Sequence, residues 1–121
     1  MKKRKILIAF TAGALLVSAM GTLAWASSCN MENGGYAFLN SDFSDGMKYV
    51  DAGTIPGVSG HISSTWLETA YEDGSVTQEQ DGPRYGMTEI EHDWEWALDY
   101  SSIHSLFYSS TDRYDRCSFG G

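Results

Sequence analysis

Residues 89–100 read Glu89-Ile90-Glu91-His92-Asp93-Trp94-Glu95-Trp96-Ala97-Leu98-Asp99-Tyr100. Odd positions carry five acids and Ala97, while even positions carry Ile90, His92, Trp94, Trp96, Leu98 and Tyr100. Side chains alternate across a strand, so this period of two sorts the segment into an acidic face and an aromatic and aliphatic face. A helix, at about 3.6 residues per turn, would set Trp94 and Trp96 about 200° apart and lose the sorting. The segment reads as one half-buried strand. Neighbouring carboxylates on its acidic face stand about 6.8 Å apart, too far for one metal ion to take adjacent ones. That row reads as a solvated face, with a cationic partner as the functional alternative.

Working outward, Ser101 and Ser102 lead into the apolar patch Ile103 to Tyr108, read as a second strand. Arg113 and Arg116 follow. If that end folds back beside the acidic row, cross-strand pairs worth a few tenths of a kcal/mol each relieve its repulsion. On the other side, Ile62 to Tyr71 and a run from Val76 flank Glu72-Asp73-Gly74-Ser75. Asp-Gly suits the type I′ turn, whose two central residues need positive φ, so a hairpin centred on Asp73 and Gly74 is predicted. Gln78 to Tyr85, with Asp81, Gly82 and Pro83, reads as a connecting loop. Tyr36 to Leu39 and Met47 to Asp51 read as short strands between Gly, Asp and Asn breakers. Together these predict an all-β fold, a small antiparallel sandwich.

The chain opens Met1-Lys2-Lys3-Arg4-Lys5 and continues as an apolar run from Ile6 to Ala26, ending Ala24-Trp25-Ala26. This is the form of a secretory signal peptide with an A-x-A cleavage site, giving a signal peptide over 1–26 and a secreted β-domain over 27–121. An uncleaved anchor is the rival reading, since this run could just span a hydrocarbon core about 30 Å thick. Lipoprotein processing at Cys29 lacks the Leu expected three residues ahead of it. Beyond Ala26 the sixteen acidic residues meet only Lys48, Arg84, Arg113 and Arg116, a formal charge of −12. Such a surface repels phosphate backbones and anionic headgroups, which excludes nucleic acid and stable membrane insertion after cleavage.

Cys29 and Cys117 are the only cysteines, one near each end of that domain. In an oxidising exported setting they are expected to pair, closing the sandwich. The chain-entropy relation assigns so long a loop about 4 to 5 kcal/mol. Neither lies in a CxxC pair or beside a histidine, so a redox role has no support.

Asn40, Asp42, Ser44, Asp45, Gly46 and Asp51 offer oxygen ligands at alternate positions, but the glycine falls one place late for an EF-hand. The same region is similar to a βγ-crystallin Greek key through Phe38, Phe43, Gly46, Ile62, Ser63 and Ser64. This resemblance implies a secreted binding module or inhibitor, with calcium as a candidate ligand. Asp99, Ser101, Ser102 and His104 supply the residue types of a nucleophilic triad, but triads are assembled across a fold and completed by an oxyanion hole. His61 and His92 have no HxH or HExxH company, so no zinc site is read. The expected function is non-enzymatic, without cofactor or metal. Trp94, Trp96, Tyr100, Phe107 and Tyr108 form either a core or a partly exposed binding platform, and the sequence leaves both open.

The stretch Trp94, Trp96, Ser101, Ser102, Ser105, Phe107, Tyr108, then Arg113, Arg116, Cys117 and Ser118, resembles the lactococcin 972-type bacteriocins. The resemblance is confined to residues 94–119. It implies a secreted β-sandwich that inhibits related Gram-positive bacteria by binding a cell-envelope component or cell-wall precursor, without a catalytic residue.

Overall fold

The computed structural model describes residues 25–108 and 114–120, with the backbone alone for Trp25, Ala26, Tyr108 and Tyr114. Eight strands lie among them: β1 (Trp25–Asn30), β2 (Tyr36–Ser44), β3 (Met47–Ile55), β4 (His61–Tyr71), β5 (Val76–Tyr85), β6 (Thr88–Glu95), β7 (Ala97–Tyr108) and β8 (Tyr114–Phe119). One sheet has the order β1-β2-β3-β6 and the other β5-β4-β7-β8, all pairs being antiparallel. The protein is therefore an all-β sandwich, as its alternating patterns predict. The signal peptide over 1–26 lies, except for Trp25 and Ala26, outside the described residues, as does Arg113.

The core follows from the inward residues of both sheets. Leu39, Val50, Ala52 and Ile90 from the first sheet pack against Leu67, Ala97 and Tyr100 from the second, with Tyr71 and Phe119 at the margin. A second cluster, Met31, Ala37 and Leu106, packs against the Cys29–Cys117 disulfide. That bond ties β1, at one edge of the first sheet, to β8, at the matching edge of the second, across a Cα separation of 6.7 Å.

Four local readings are corrected. The type I′ Asp-Gly turn is at Asp45-Gly46, where φ is 54° and 83° and Ser44 faces Met47. Around Asp73 the hairpin is real, but its loop is Glu72–Ser75, closed by Gly74 N–H to Tyr71 O at 3.0 Å. Of Asp73 and Gly74 only Gly74 has positive φ, at 92°. Gln78 to Tyr85 is strand rather than loop: β5 pairs with β4 at the sheet edge, where Pro83 does not interrupt a central ladder. Gly82 and Pro83 lie where the β4–β5 register shifts between Ser63 and Thr65. Arg116 faces Ser105 of β7, not the acidic row, because β8 pairs with the far half of β7.

The fourth correction concerns the segment that suggested the fold. Residues 89–100 are not one strand. β6 ends at Glu95 in one sheet and β7 begins at Ala97 in the other, so Trp96 is the corner between the sheets. Two register irregularities flank it. Asp93 and Trp94 together oppose Tyr49, because Lys48 pairs with Glu95 and Val50 with His92. Leu98 is the extra residue between Ala97, opposite Tyr71, and Asp99, opposite Ala70. Each bulge flips the side-chain phase.

Candidate binding site

Those phase changes decide which side chains meet water. Ile90 and Tyr100 stay buried, but Trp94, Trp96 and Leu98 are 41%, 55% and 56% exposed. All three gather at the start of β3. The Trp94 ring stands edge-on to Tyr49 at 6.0 Å, and Trp96 lies so close over Gly46 that a Cβ there would come within 2.8 Å of its ring. Lys48 Nζ donates to the Leu98 carbonyl at 2.5 Å. A two-residue turn with glycine second thus serves the hairpin and makes room for an indole.

The Asp93–Trp94 bulge also turns Glu95 inward, into the place that simple alternation reserved for Trp94. Its carboxylate accepts from Tyr71 Oη at 2.9 Å and from Tyr100 Oη at 2.8 Å. Burial, reinforced by these bonds to Glu95, raises both phenols above the ordinary tyrosine range. His92 Nδ1 lies 2.6 Å from Glu95 Oε2, and its Nε2 lies 2.5 Å from Glu79 Oε2 on β5. The ring also stands edge-on to Tyr100, centroids 6.3 Å apart. The acidic row is thus only partly a solvated face: Asp93 is exposed, Glu91 accepts from the Tyr49 hydroxyl, and Glu95 is built into the sandwich.

Above this group lies an open depression of about 580 Å³, lined by Tyr71, Thr77, Glu79, His92, Asp93, Trp94 and Glu95. It sits at the edge where β5 and β6 meet, opposite the disulfide edge. Its surface offers an indole, a phenol and three carboxylates.

Of the residues singled out from sequence, Trp94 and Trp96 share this region. Tyr100 is buried beneath it and reaches it through Glu95. Phe107 is about 23 Å beyond Tyr100 along β7, on the face opposite the buried Leu106. The Tyr108 side chain lies outside the described residues. Asn40 to Asp51 form the β2–β3 hairpin, with Asn40 directly opposite Asp51. Among the described residues no three His, Cys, Asp or Glu are grouped to hold a metal ion. Sequence reasoning missed Glu79, assigned to a loop, and Glu95, assigned to the solvated row. The one available signal was His92, a titratable residue standing among apolar even positions.

The Ser102–His104 pair does come together, with Oγ and Nε2 2.8 Å apart, but inside the core, where both are buried. His104 Nδ1 faces the Thr54 hydroxyl at 3.0 Å, not a carboxylate. From there hydroxyls run on: Thr54 to Thr65 at 2.8 Å, Thr65 to Thr88 at 2.9 Å, Thr88 to Ser63 at 3.0 Å, and Ser63 to the Gly86 carbonyl at 2.6 Å. Carbonyls of Ser64, Thr88 and Gly86 accept from Thr54, Thr65 and Ser63, so each of these three hydroxyls has an acceptor within the chain. Burial, opposed more weakly by the Gly53 carbonyl, lowers the His104 pKa to about 4 and keeps the ring neutral. This is a buried polar network joining the two sheets, not a nucleophile with its base.

The chain matches no protein-family model, no curated protein and no solved structure. Its functional reading therefore stands on the geometry of the site and on the sequence.

Proposed function

We propose that this is an exported binding protein that acts without covalent chemistry at the cell envelope of related bacteria, the antibacterial role implied by its resemblance to lactococcin 972-type proteins. The observation that carries the reading is the exposure of Trp94, Trp96 and Leu98, three large apolar side chains within five residues, each at a bulge or corner. A domain of this size gains stability by burying such groups, and clustered exceptions mark interaction surfaces. The disulfide-closed β-fold is consistent with an oxidising extracellular setting. The signal-peptide form of residues 1–26 supports export.

The test is growth inhibition of a panel of Gram-positive strains by the oxidised, processed protein. Clearing by the wild type, lost in Trp94→Ala and in Trp94→Ala/Trp96→Ala proteins with unchanged circular dichroism, is the expected result. Equal clearing by the folded variants would remove the aromatic surface from the account. No clearing by the wild type would remove the antibacterial role.

A further inference from the structure

We propose that the outer face of the first sheet is a docking face for the basic and apolar export segment of this same chain, residues 1–24, so that removing the segment extends the binding surface beyond Trp94. The docking rests on the fold, and the uncovering rests on the export reading of residues 1–26.

An antiparallel sheet in a two-layer sandwich turns one face to the core and the other to water. In the first sheet Ala37, Leu39, Val50, Ala52, Thr88 and Ile90 point inward. Alternation therefore points Phe38, Asn40, Asp51, Gly53, Glu89 and Glu91 outward. Phe38 stands opposite Gly53, and Gly53 opposite Glu89; in the neighbouring row Asn40 stands opposite Asp51, and Asp51 opposite Glu91. Yet on this outward face Phe38 is 0% and Asp51 2% exposed. Gly53 forms the floor under the Phe38 ring, and Tyr36 flanks it with centroids 6.2 Å apart. The upper side of the ring still needs a cover, and the second sheet lies against the opposite face.

Of the stretches outside the described residues, 109–113 joins β7 to β8 and is tied at both ends to the second sheet. Residues 1–24 instead run directly into Trp25, paired with Ser41 at the edge of the first sheet, and Ala26 shares the row of Asn40, Asp51 and Glu91. Reach is ample. Even at a helical rise of about 1.5 Å per residue such a segment spans about 36 Å, whereas the four strands cross about 14 Å.

The chemistry is complementary. Lys2, Lys3, Arg4 and Lys5 precede an apolar run that begins at Ile6. The face offers Phe38 with Tyr36 and Ile55 beside it, and the carboxylates of Asp51, Glu89 and Glu91. The strands of this sheet contain one Lys or Arg, Lys48, whose ammonium is given to the Leu98 carbonyl. Apolar side chains over Phe38 and basic ones against the carboxylates satisfy both halves of the face. A second copy would bring a formal charge of −12 beyond Ala26 against the same carboxylates, so charge favours the chain's own basic segment. Tyr49 joins this face to the site described above: its hydroxyl donates to Glu91 and its ring packs against Trp94.

The experiment compares the full oxidised chain with the processed protein, beginning at Ser27, recovered from culture medium. Carboxyl groups are labelled with carbodiimide and glycine ethyl ester, and mass spectrometry follows Asp51 against the exposed Asp73. Asp51 is expected to react about tenfold more slowly than Asp73 in the full chain and within about threefold of it in the processed protein. Lys2→Glu/Lys3→Glu/Arg4→Glu/Lys5→Glu in the full chain should speed Asp51 labelling, and benzoylphenylalanine in place of Phe38 should photo-crosslink within one molecule to residues 1–24. Equal Asp51 labelling in the full and processed forms, or crosslinks only to residues outside 1–24, would overturn the proposal. Processed protein that clears Gram-positive strains while its Asp51 reacts no faster than in the full chain keeps the envelope reading and overturns the docking. Faster Asp51 labelling in processed protein that clears no strain supports the docking and removes the antibacterial role.

Discussion

The two open edges of the sandwich are closed in different ways. At one, Cys29 of β1 and Cys117 of β8 are covalently joined, with Met31, Ala37 and Leu106 packed around the bond. At the other, β6 meets β5 through His92, held between Glu95 and Glu79. The first closure is indifferent to pH and packed against apolar groups. The second is polar and partly solvated, and lies beside the exposed Trp94. The difference teaches a division of labour within one small domain. Permanence is placed where the chain is sealed, and a polar contact is placed where solvent reaches it.

Removing the covalent edge should have the largest effect. Cys29→Ala/Cys117→Ala is expected to lose about 4 kcal/mol in denaturant unfolding, nearly equally at pH 5 and pH 8. A loss well below 1 kcal/mol would show that apolar packing alone closes this edge.

Acid acts next, through the core between the edges. His104 has a folded pKa of about 4 against an ordinary 6.5. The unfolded chain therefore takes up the proton first. The associated stability is present above pH 6.5 and is lost progressively as pH falls toward 4, up to about 3 kcal/mol. His104→Leu should lower stability at pH 7 by breaking the hydroxyl chain while flattening this acid limb in a pH series of unfolding curves. An acid limb of the same slope in the variant would assign it to other groups.

The smallest effects belong to the ionic edge, and the two carboxylates should differ. Glu95→Gln sets an amide donor among groups that already donate, which costs about 1 to 3 kcal/mol. Glu79 is exposed, so Glu79→Gln should change global stability by less than about 1 kcal/mol. Both should speed amide hydrogen exchange in β5 relative to β4. Faster exchange throughout both sheets in Glu79→Gln would mean that this contact supports the whole fold rather than one edge.

Much of the fold was legible because alternation reports burial directly. Ile62 to Tyr71, Met47 to Asp51 and Ile103 to Tyr108 all lie in strands, and Cys29 and Cys117 pair. The site was less legible. Its geometry comes from two bulges and a corner in residues 93–98, and a bulge leaves no mark in an alternating pattern. Continuous alternation placed Glu95 outside and Trp94 inside, and the structure exchanges them. β5 was hidden for a related reason: Gly82 and Pro83 read as loop formers, but an edge strand tolerates both. The Ser102–His104 contact was visible as composition, while its burial and its Thr54 partner depended on long-range pairing of β3, β4 and β7.

The disulfide also decides how the domain responds to being pulled. Cys29 and Cys117 lie near the two ends of the folded chain, 88 positions apart in sequence. Tension applied through the flanking segments passes from one cysteine to the other across 6.7 Å, and the strands between them carry almost none of it. The loop between them is mechanically slack, so the strands inside it, and the face bearing Trp94, are shielded from a pull on the flanking segments until a covalent bond breaks.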